Sequence, residues 1–193
     1  MNKSVWIDFI DEIIEWQENH PLYSYNYTRE EHKGNLQLYY DIIVKDEIIV
    51  DAINDFSNDK YDFEKYYKDI MMYYLMAEKL LNEGIEDIDN YIKMIVSLGL
   101  VFADQKFLIT FLDIRDVYDS KNWDYNNAAE NQLKYSGIES FRTTIEHKLL
   151  RLKSFYDGGD IKVTDEKIKD TVIDITNYCM IYLMWSYKDY PEF

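Results

Sequence analysis

The sequence predicts an all-α helical bundle, and three features lead to that expectation. Helix breakers are sparse, with only six Gly and two Pro among 193 residues. Apolar residues recur at helical rather than alternating spacing over long segments, which favours helices over strands. Hydrophobic residues make up 47% of the chain, so there is ample material for a core and intrinsic disorder is not expected.

The first hundred residues are predicted to form a helical region of unknown role. Residues 4–18 carry a broad apolar face between acids and end before Pro21, because the residue before a proline resists helical geometry. A capping-box signature at Thr28 opens a second helix over 28–56. The β-branched residues within 42–50 leave a two-stranded hairpin open there as an alternative.

The rest of the chain is predicted to form further helices, joined by short turns and one loop. Residues 61–82 have a strong helical pattern that stops at Gly84. Residues 86–118 are also helical by pattern, and Gly99 within a continuous apolar run predicts a break or kink. Residues 121–127 are predicted to form a polar, aromatic loop. Further helices are expected over 128–135, over 138–155, and from a Thr164 cap to about Tyr187.

The charge of the chain excludes some functions. The formal net charge is −16, from 37 acidic and 21 basic residues. A DNA-binding surface is therefore not expected, because phosphate contacts need a basic patch. A free nucleotide needs only one or two cations and is compatible with this charge. An acidic surface can also imitate nucleic acid and occupy the basic groove of a protein partner.

The cysteine content and the lack of long apolar runs predict a soluble, cytoplasmic protein. A single cysteine, Cys179, excludes a disulfide framework and a Cys-based zinc site. Neither a signal-peptide core nor an apolar run of membrane length is expected. Frequent Ile, Lys, Asn, Asp and Tyr indicate an AT-rich genome, such as that of a low-GC bacterium or its phage. Tyr-rich helix faces would suit the interface of a homo-oligomer.

Carboxylates recur along one face of the last predicted helix. The face consists of Glu166, Asp170, Asp174 and Asn177, at steps of four, four and three residues. Mg²⁺ prefers oxygen ligands and is usually held by one or two carboxylates plus substrate phosphates. One interpretation is therefore a metal site on this face. The alternative is a solvated face of an acidic protein.

The preceding predicted helix is basic in an otherwise acidic chain. Lys148 and Arg151 lie three residues apart on it, which makes them neighbours on one face. Their ammonium and guanidinium groups are suited to holding phosphate. The alternative is a surface face paired with the nearby acids Glu146 and Asp157.

Aromatic and amide side chains are concentrated in the predicted loop over 121–127. Trp123 and Tyr125 can stack on a nucleotide base, and asparagine can bind its edge. With four Trp and 19 Tyr in the chain, burial in the core is the commoner fate of such a ring. The sequence contains no Gly-rich phosphate loop, nucleophile elbow or zinc-protease helix motif, so serine or cysteine nucleophile chemistry has no support.

Several of these pieces resemble a known family in their order along the chain. They are Lys121-Asn122-x-Asp124-Tyr125-x-x-Ala128, Gly137, Lys148-x-x-Arg151-Leu152 and Glu166-x-x-x-Asp170-Thr171-x-x-Asp174-x-x-Asn177-Tyr178. Over residues 102–183 they resemble the phage and bacterial family called nucleotide modification associated domain 1. The resemblance implies that residues 101–193 form this helical domain and that residues 1–100 extend it. The family pattern has a glycine where this chain has Asn126.

The resemblance further implies kinship with all-α nucleotide pyrophosphohydrolases of the MazG and dimeric dUTPase type. By that kinship Mg²⁺ is the cofactor, and its ligands are Glu166, Asp170 and Asp174. Phosphate would be held by Lys148 and Arg151. The base would contact Trp123, Asp124, Tyr125 and Asn177. A second set of acids would be drawn from Glu139, Glu146, Asp113 and Asp116 on neighbouring helices.

The expected function is Mg²⁺-dependent handling of a free nucleotide, most concretely hydrolysis of a (d)NTP with release of pyrophosphate. The rival expectation belongs to a different class, a non-catalytic acidic interaction protein. Such a protein could be a phage inhibitor of host defence that sequesters a nucleotide signal or mimics DNA. Direct binding to nucleic acid or to a membrane is not expected on either view.

Overall fold

The computed structural model describes Glu15 and residues 27–85, 87–158 and 165–189. All regular structure in these residues is helical, so the prediction of an all-α fold is confirmed. The helices are α1 (Arg29–Lys45), α2 (Glu47–Ser57), α3 (Phe63–Asn82), α4 (Asp89–Phe107), α5 (Phe111–Asp124), α6 (Ala128–Ser136), α7 (Ile138–Tyr156) and α8 (Asp165–Asp189). None of them is long and apolar enough by itself to cross a membrane, and α4 and α5 are so only when taken together across a bend of 109°. The predicted helix over 4–18, apart from Glu15, and the predicted Thr164 cap lie outside the described residues.

One aspartate divides the helix that the sequence predicts over 28–56. Thr28 opens α1 as expected, because its hydroxyl accepts the Glu31 N–H at 3.2 Å while the Glu31 carboxylate accepts the Thr28 N–H at 2.8 Å. The prediction of one continuous helix is wrong, since α1 ends and α2 begins at Asp46. Its carboxylate caps α2 by accepting the Ile49 N–H at 3.1 Å. The alternative β-hairpin around this position is also wrong, because both pieces are helical.

The central helix, α4, runs without interruption through Gly99. It packs against α8, α2 and α3, and every residue from 95 to 103 is buried. The predicted break at Gly99 is wrong, because α4 is continuous there. This glycine instead permits a close approach of α4 and α8. A Cβ atom added there would lie 2.1 Å from Thr176 Oγ1 on α8. The helix ends instead at Leu108, whose φ is 57°.

A single hydrophobic core joins residues from both predicted domains. Tyr66 on α3 stacks on Phe102 of α4 with ring centroids 4.2 Å apart. The Tyr66 hydroxyl is buried and finds no hydrogen-bond partner among the described residues. Cys179 on α8 is fully buried, and burial raises the pKa of its thiol. The predicted domain boundary between residues 100 and 101 falls inside α4 and stays a prediction.

The segment predicted as a loop over 121–127 is largely helical. α5 continues to Asp124, so Lys121 lies in its last turn. Asn126 and Asn127, with φ of 52° and 56°, then turn the chain into α6, and asparagine adopts this left-handed region more readily than most residues. Both α5 and α6 contact α8, and α7 packs against α6 and α8. These four helices surround the candidate site.

Candidate functional site

A cavity of about 350 Å³ opens where α5 and α6 meet α7 and α8. Its volume is within the range of small-molecule sites. The lining combines apolar surface with polar groups from two lysines, one carboxylate, three amides and three tyrosines. These are Lys121, Lys148, Asp174, Asn122, Gln132, Asn177, Tyr118, Tyr125 and Tyr178. A cavity with this lining is suited to a polar ligand that has both an anionic and a planar part.

The charged part of the cavity is a carboxylate held between two lysines. Lys121 Nζ lies 2.9 Å from Asp174 Oδ1, and Lys148 Nζ lies 2.7 Å from Asp174 Oδ2. Burial by itself would raise the pKa of Asp174, but the hydrogen bonds from both lysines outweigh it and hold that pKa below the usual value. The hydrogen bond to Asp174 in turn raises the pKa of Lys121. The charged part of the cavity thus consists of two lysine side chains that share one carboxylate.

Two buried amides lie beside these charges. The residues Asn122 and Asn177 are only 5% and 7% exposed. Asn122 Nδ2 donates to the Tyr118 hydroxyl at 3.1 Å, and Asn177 Nδ2 donates to the Ile114 carbonyl at 3.2 Å. An amide offers both donors and an acceptor, so these two side chains can distinguish ligands by their hydrogen-bonding pattern.

Tyrosine rings provide the planar contacts of the cavity. Tyr125, which follows α5, is 68% exposed. The Lys148 ammonium lies 5.9 Å from the centroid of the Tyr178 ring. An accessible aromatic ring can stack on any nucleotide base, because every base has a π-face. The cavity thus combines a cationic end with an aromatic surface.

The structure brings four of the predicted site residues together in this cavity: Lys148, Asp174, Tyr125 and Asn177. Three other predicted residues lie elsewhere. Arg151 is exposed, with its guanidinium 5.9 Å from the Phe155 ring. Trp123 and Asp124 line a separate cavity of about 420 Å³ together with His32. Their predicted contacts with a nucleotide stay predictions.

The predicted metal ligands do not form a cluster. Glu166 and Asp170 are exposed, whereas both carboxylate oxygens of Asp174 are bound by lysines. Among the residues that the structure describes, no three His, Cys, Asp or Glu side chains are grouped closely enough to hold a metal ion. These side chains do not fit a Mg²⁺ ion held by protein ligands alone. The Mg²⁺ site remains a prediction.

The acids considered as a second metal-binding set have other partners. Asp113 completes a capping box with Thr110 at the start of α5. The other three form ion pairs with arginines: Glu139 and Glu146 with Arg142, and Asp116 with Arg115. Each of these carboxylates therefore already has a partner among the described residues.

One charged residue of the cavity, Lys121, is missing from the phosphate contacts predicted from the sequence. The signal for it is present, because Lys121 opens the motif Lys121-Asn122-x-Asp124-Tyr125. A loop, as predicted for this motif, would not define the direction of the Lys121 side chain. In the last turn of α5, Lys121 reaches Asp174, which lies 53 residues later in the chain.

One comparison with known proteins finds a match, and it covers most of the residues that line the cavity. Residues 121–185 match the family model of nucleotide modification associated domain 1. The matched segment contains every lining residue of the cavity except Tyr118. No curated protein and no solved structure matches the chain, so the kinship with pyrophosphohydrolases stays a prediction. The segment from 121 to 185, which contributes all but one of the residues that line the cavity, is thus similar to nucleotide modification associated domain 1.

Proposed function

We propose that this protein binds a free nucleotide in the cavity between α5, α6, α7 and α8. The observation that carries the proposal is the pair of lysines, Lys121 and Lys148, that share the single carboxylate of Asp174. A phosphate group, like that carboxylate, is anionic and accepts hydrogen bonds through its oxygens. It can therefore take over the lysine contacts as charge-assisted hydrogen bonds.

The rest of the cavity suits the base and the sugar. Tyr125 and Tyr178 offer ring faces, and Asn122 and Asn177 offer amide groups at the same wall. Ring stacking gives affinity without regard to the identity of the base, whereas amide hydrogen bonds give selectivity. The match to a domain described as nucleotide modification associated supports the same ligand class.

The reaction we propose to test first is hydrolysis of a (d)NTP with release of pyrophosphate, with Mg²⁺ as the cofactor. Mg²⁺ would need most of its ligands from the phosphates and from water, as is common for this ion, because Asp174 is engaged by lysines.

A second candidate function is a non-catalytic interaction protein, and the observation that favours it is the net charge of −16. Such a protein would present acidic charge to a basic groove of a partner, or would sequester a nucleotide signal without turnover. In the first case many surface acids would contribute jointly. In the second case the cavity would still bind nucleotide.

Calorimetric titration with nucleoside mono-, di- and triphosphates, with and without Mg²⁺, tests the proposal. We expect binding to the wild type and at least about tenfold weaker binding to Lys148→Met, since a hydrogen bond to a charged group is worth about 1.5–3 kcal/mol. Lys153→Met is the matched control, because Lys153 lies on the same helix and pairs with Asp157 outside the cavity. We expect its affinity to stay within about twofold of the wild type.

The outcomes separate the candidate functions. Pyrophosphate release by the wild type would establish the reaction, and binding without release would favour sequestration. Equal weakening in Lys148→Met and Lys153→Met would mean that overall charge, and not the cavity, governs binding. Absence of binding to every nucleotide would overturn the proposal in favour of the acidic interaction surface.

A further inference from the structure

Two of the three amides that line the cavity, Asn122 and Asn177, are held from outside the matched domain. Tyr27, just before α1, and Tyr39, within α1, each form a hydrogen bond with one of them. The two tyrosines lie 95 and 138 residues before their partners Asn122 and Asn177. Both tyrosines are buried, at 8% and 0% exposure. The N-terminal part of the chain thus reaches the wall of the cavity.

The Tyr27 hydroxyl is the centre of a small hydrogen-bond network. It accepts the side-chain N–H groups of Asn122 at 3.1 Å and of Asn35 at 2.9 Å. Because both acceptor positions of the hydroxyl are used, its own hydrogen is directed to His32 Nδ1 at 3.2 Å. His32 Nε2 then donates to Asp119 at 2.5 Å. Each hydrogen bond in this network fixes the direction of the next.

This network determines which polar atom of Asn122 remains for a ligand. One N–H of its amide is donated to Tyr27 and the other to Tyr118. Both hydrogens of Nδ2 are therefore committed, and the capacity that remains belongs to Oδ1, which is an acceptor. A flipped amide would place Oδ1 against two tyrosine hydroxyls, one of which has already directed its hydrogen to His32.

Tyr39 fixes the second amide in the same manner. Its hydroxyl donates to Asn177 Oδ1 at 2.9 Å, while Asn177 Nδ2 donates to the Ile114 carbonyl at 3.2 Å. The carbonyl can only accept, so the orientation of the Asn177 amide is set by Ile114 and Tyr39 together. One hydrogen of Nδ2 and one lone pair of Oδ1 remain for a ligand.

We infer that Tyr27 and Tyr39 are positioning residues that determine base selectivity, an inference that rests on the proposed nucleotide binding. They set the orientation of Asn122 and Asn177, and so they decide where the base meets an acceptor and where it meets a donor. A site whose polar groups are held in one orientation rejects a base that leaves them unpaired. The N-terminal part of the chain therefore contributes specificity to a site built mainly by the matched domain.

The test uses Tyr27→Phe and Tyr39→Phe in the full chain, with Tyr66→Phe as the matched control. Tyr66 is as fully buried as Tyr39, but its hydroxyl bonds to none of the described residues. We expect each positioning variant to bind the preferred nucleotide about two- to tenfold more weakly. We also expect the affinity ratio between the preferred base and the next one to fall, which a general loss of stability would not cause. The control should leave both quantities unchanged.

Side-chain NH₂ signals in NMR spectra of the ligand-free protein test the positioning independently of any nucleotide. The Asn122 signal should shift in Tyr27→Phe and the Asn177 signal in Tyr39→Phe, each without a shift of the other. Unmoved signals would overturn the inference whatever the titrations give. Shifted signals with unchanged affinity and selectivity would overturn the role in specificity while leaving nucleotide binding intact. Absence of nucleotide binding to the wild type would overturn the proposed function, and the role in specificity with it.

Discussion

Replacing Gly99 by alanine is expected to destabilise the protein, although alanine is the better helix former by about 1 kcal/mol. The added Cβ would lie 2.1 Å from Thr176 Oγ1, far inside contact distance, so α4 and α8 must separate or Thr176 must rotate. Rotation would break the hydrogen bond from its hydroxyl to the Val172 carbonyl at 2.9 Å. Overpacking of a core costs about 1–3 kcal/mol, and the lost hydrogen bond costs about 1 kcal/mol more. After the gain of about 1 kcal/mol in helix propensity, we expect a net loss of about 1–3 kcal/mol in the free energy of unfolding. Urea denaturation followed by circular dichroism measures this loss.

Gly34→Ala is the matched control for this prediction. Gly34 is exposed within α1, and a Cβ atom there would meet nothing within 4 Å. Alanine should therefore raise stability by about 0.5–1 kcal/mol. The double variant Gly99→Ala with Thr176→Ala should recover much of the loss, because it removes Oγ1. If Gly99→Ala were as stable as Gly34→Ala, the close approach of α4 and α8 would be refuted.

The second large effect is expected from Asp174→Asn. This change leaves Lys121 and Lys148 without their shared carboxylate, and the Asp174 side chain is only 18% exposed. We expect the free energy of unfolding at neutral pH to fall by about 1–3 kcal/mol, because hydrogen bonds to charged groups in a partly buried site are lost. Asp170→Asn is the control on the same helix. Asp170 is exposed, and its replacement should change stability by less than about 0.5 kcal/mol.

The pH dependence of that difference is a separate check. The pKa of Asp174 is lower in the folded protein than its usual value, so the unfolded chain takes up the proton first as the pH falls. The stabilisation by Asp174 should therefore be complete above the unfolded pKa of about 3.9. It should disappear as the pH falls through the folded pKa. Denaturation curves of wild type and Asp174→Asn should thus converge in acid, and a difference that persists or grows there would contradict the assignment.

Local chemistry is what the sequence predicts well in this protein. The capping box at Thr28 and the stop at Gly84 depend only on residues a few positions apart, and both are found. The turn at Gly137, where φ is 63°, separates α6 from α7 in the same way. In each case the signal and its physical cause lie within one helical turn, so no knowledge of the tertiary structure is required.

The sequence does not predict features that depend on contacts between residues far apart in the chain. Gly99 has the signature of a helix break, and only the position of Thr176 shows that it allows close packing. The sequence does not distinguish Asp46 from the other 36 acidic residues. Only the structure shows that its Oδ2 lies 2.9 Å from Lys93 Nζ. In the site, spacing along α8 places Asp174 correctly on a polar face, but it cannot reveal that lysines from two other helices bind it.

The burial of the chain's single thiol has a practical consequence for studying all of these variants. Cys179 is fully buried on α8, two residues after Asn177 of the cavity wall. A thiol reagent can reach it only in molecules whose core has transiently opened, so the labelling rate reports the population or rate of such openings. A ligand that binds the closed form slows labelling by the factor 1 + [L]/Kd when opening is fast. The natural chain thus carries a built-in reporter of ligand occupancy that needs no dye, tag or substitution.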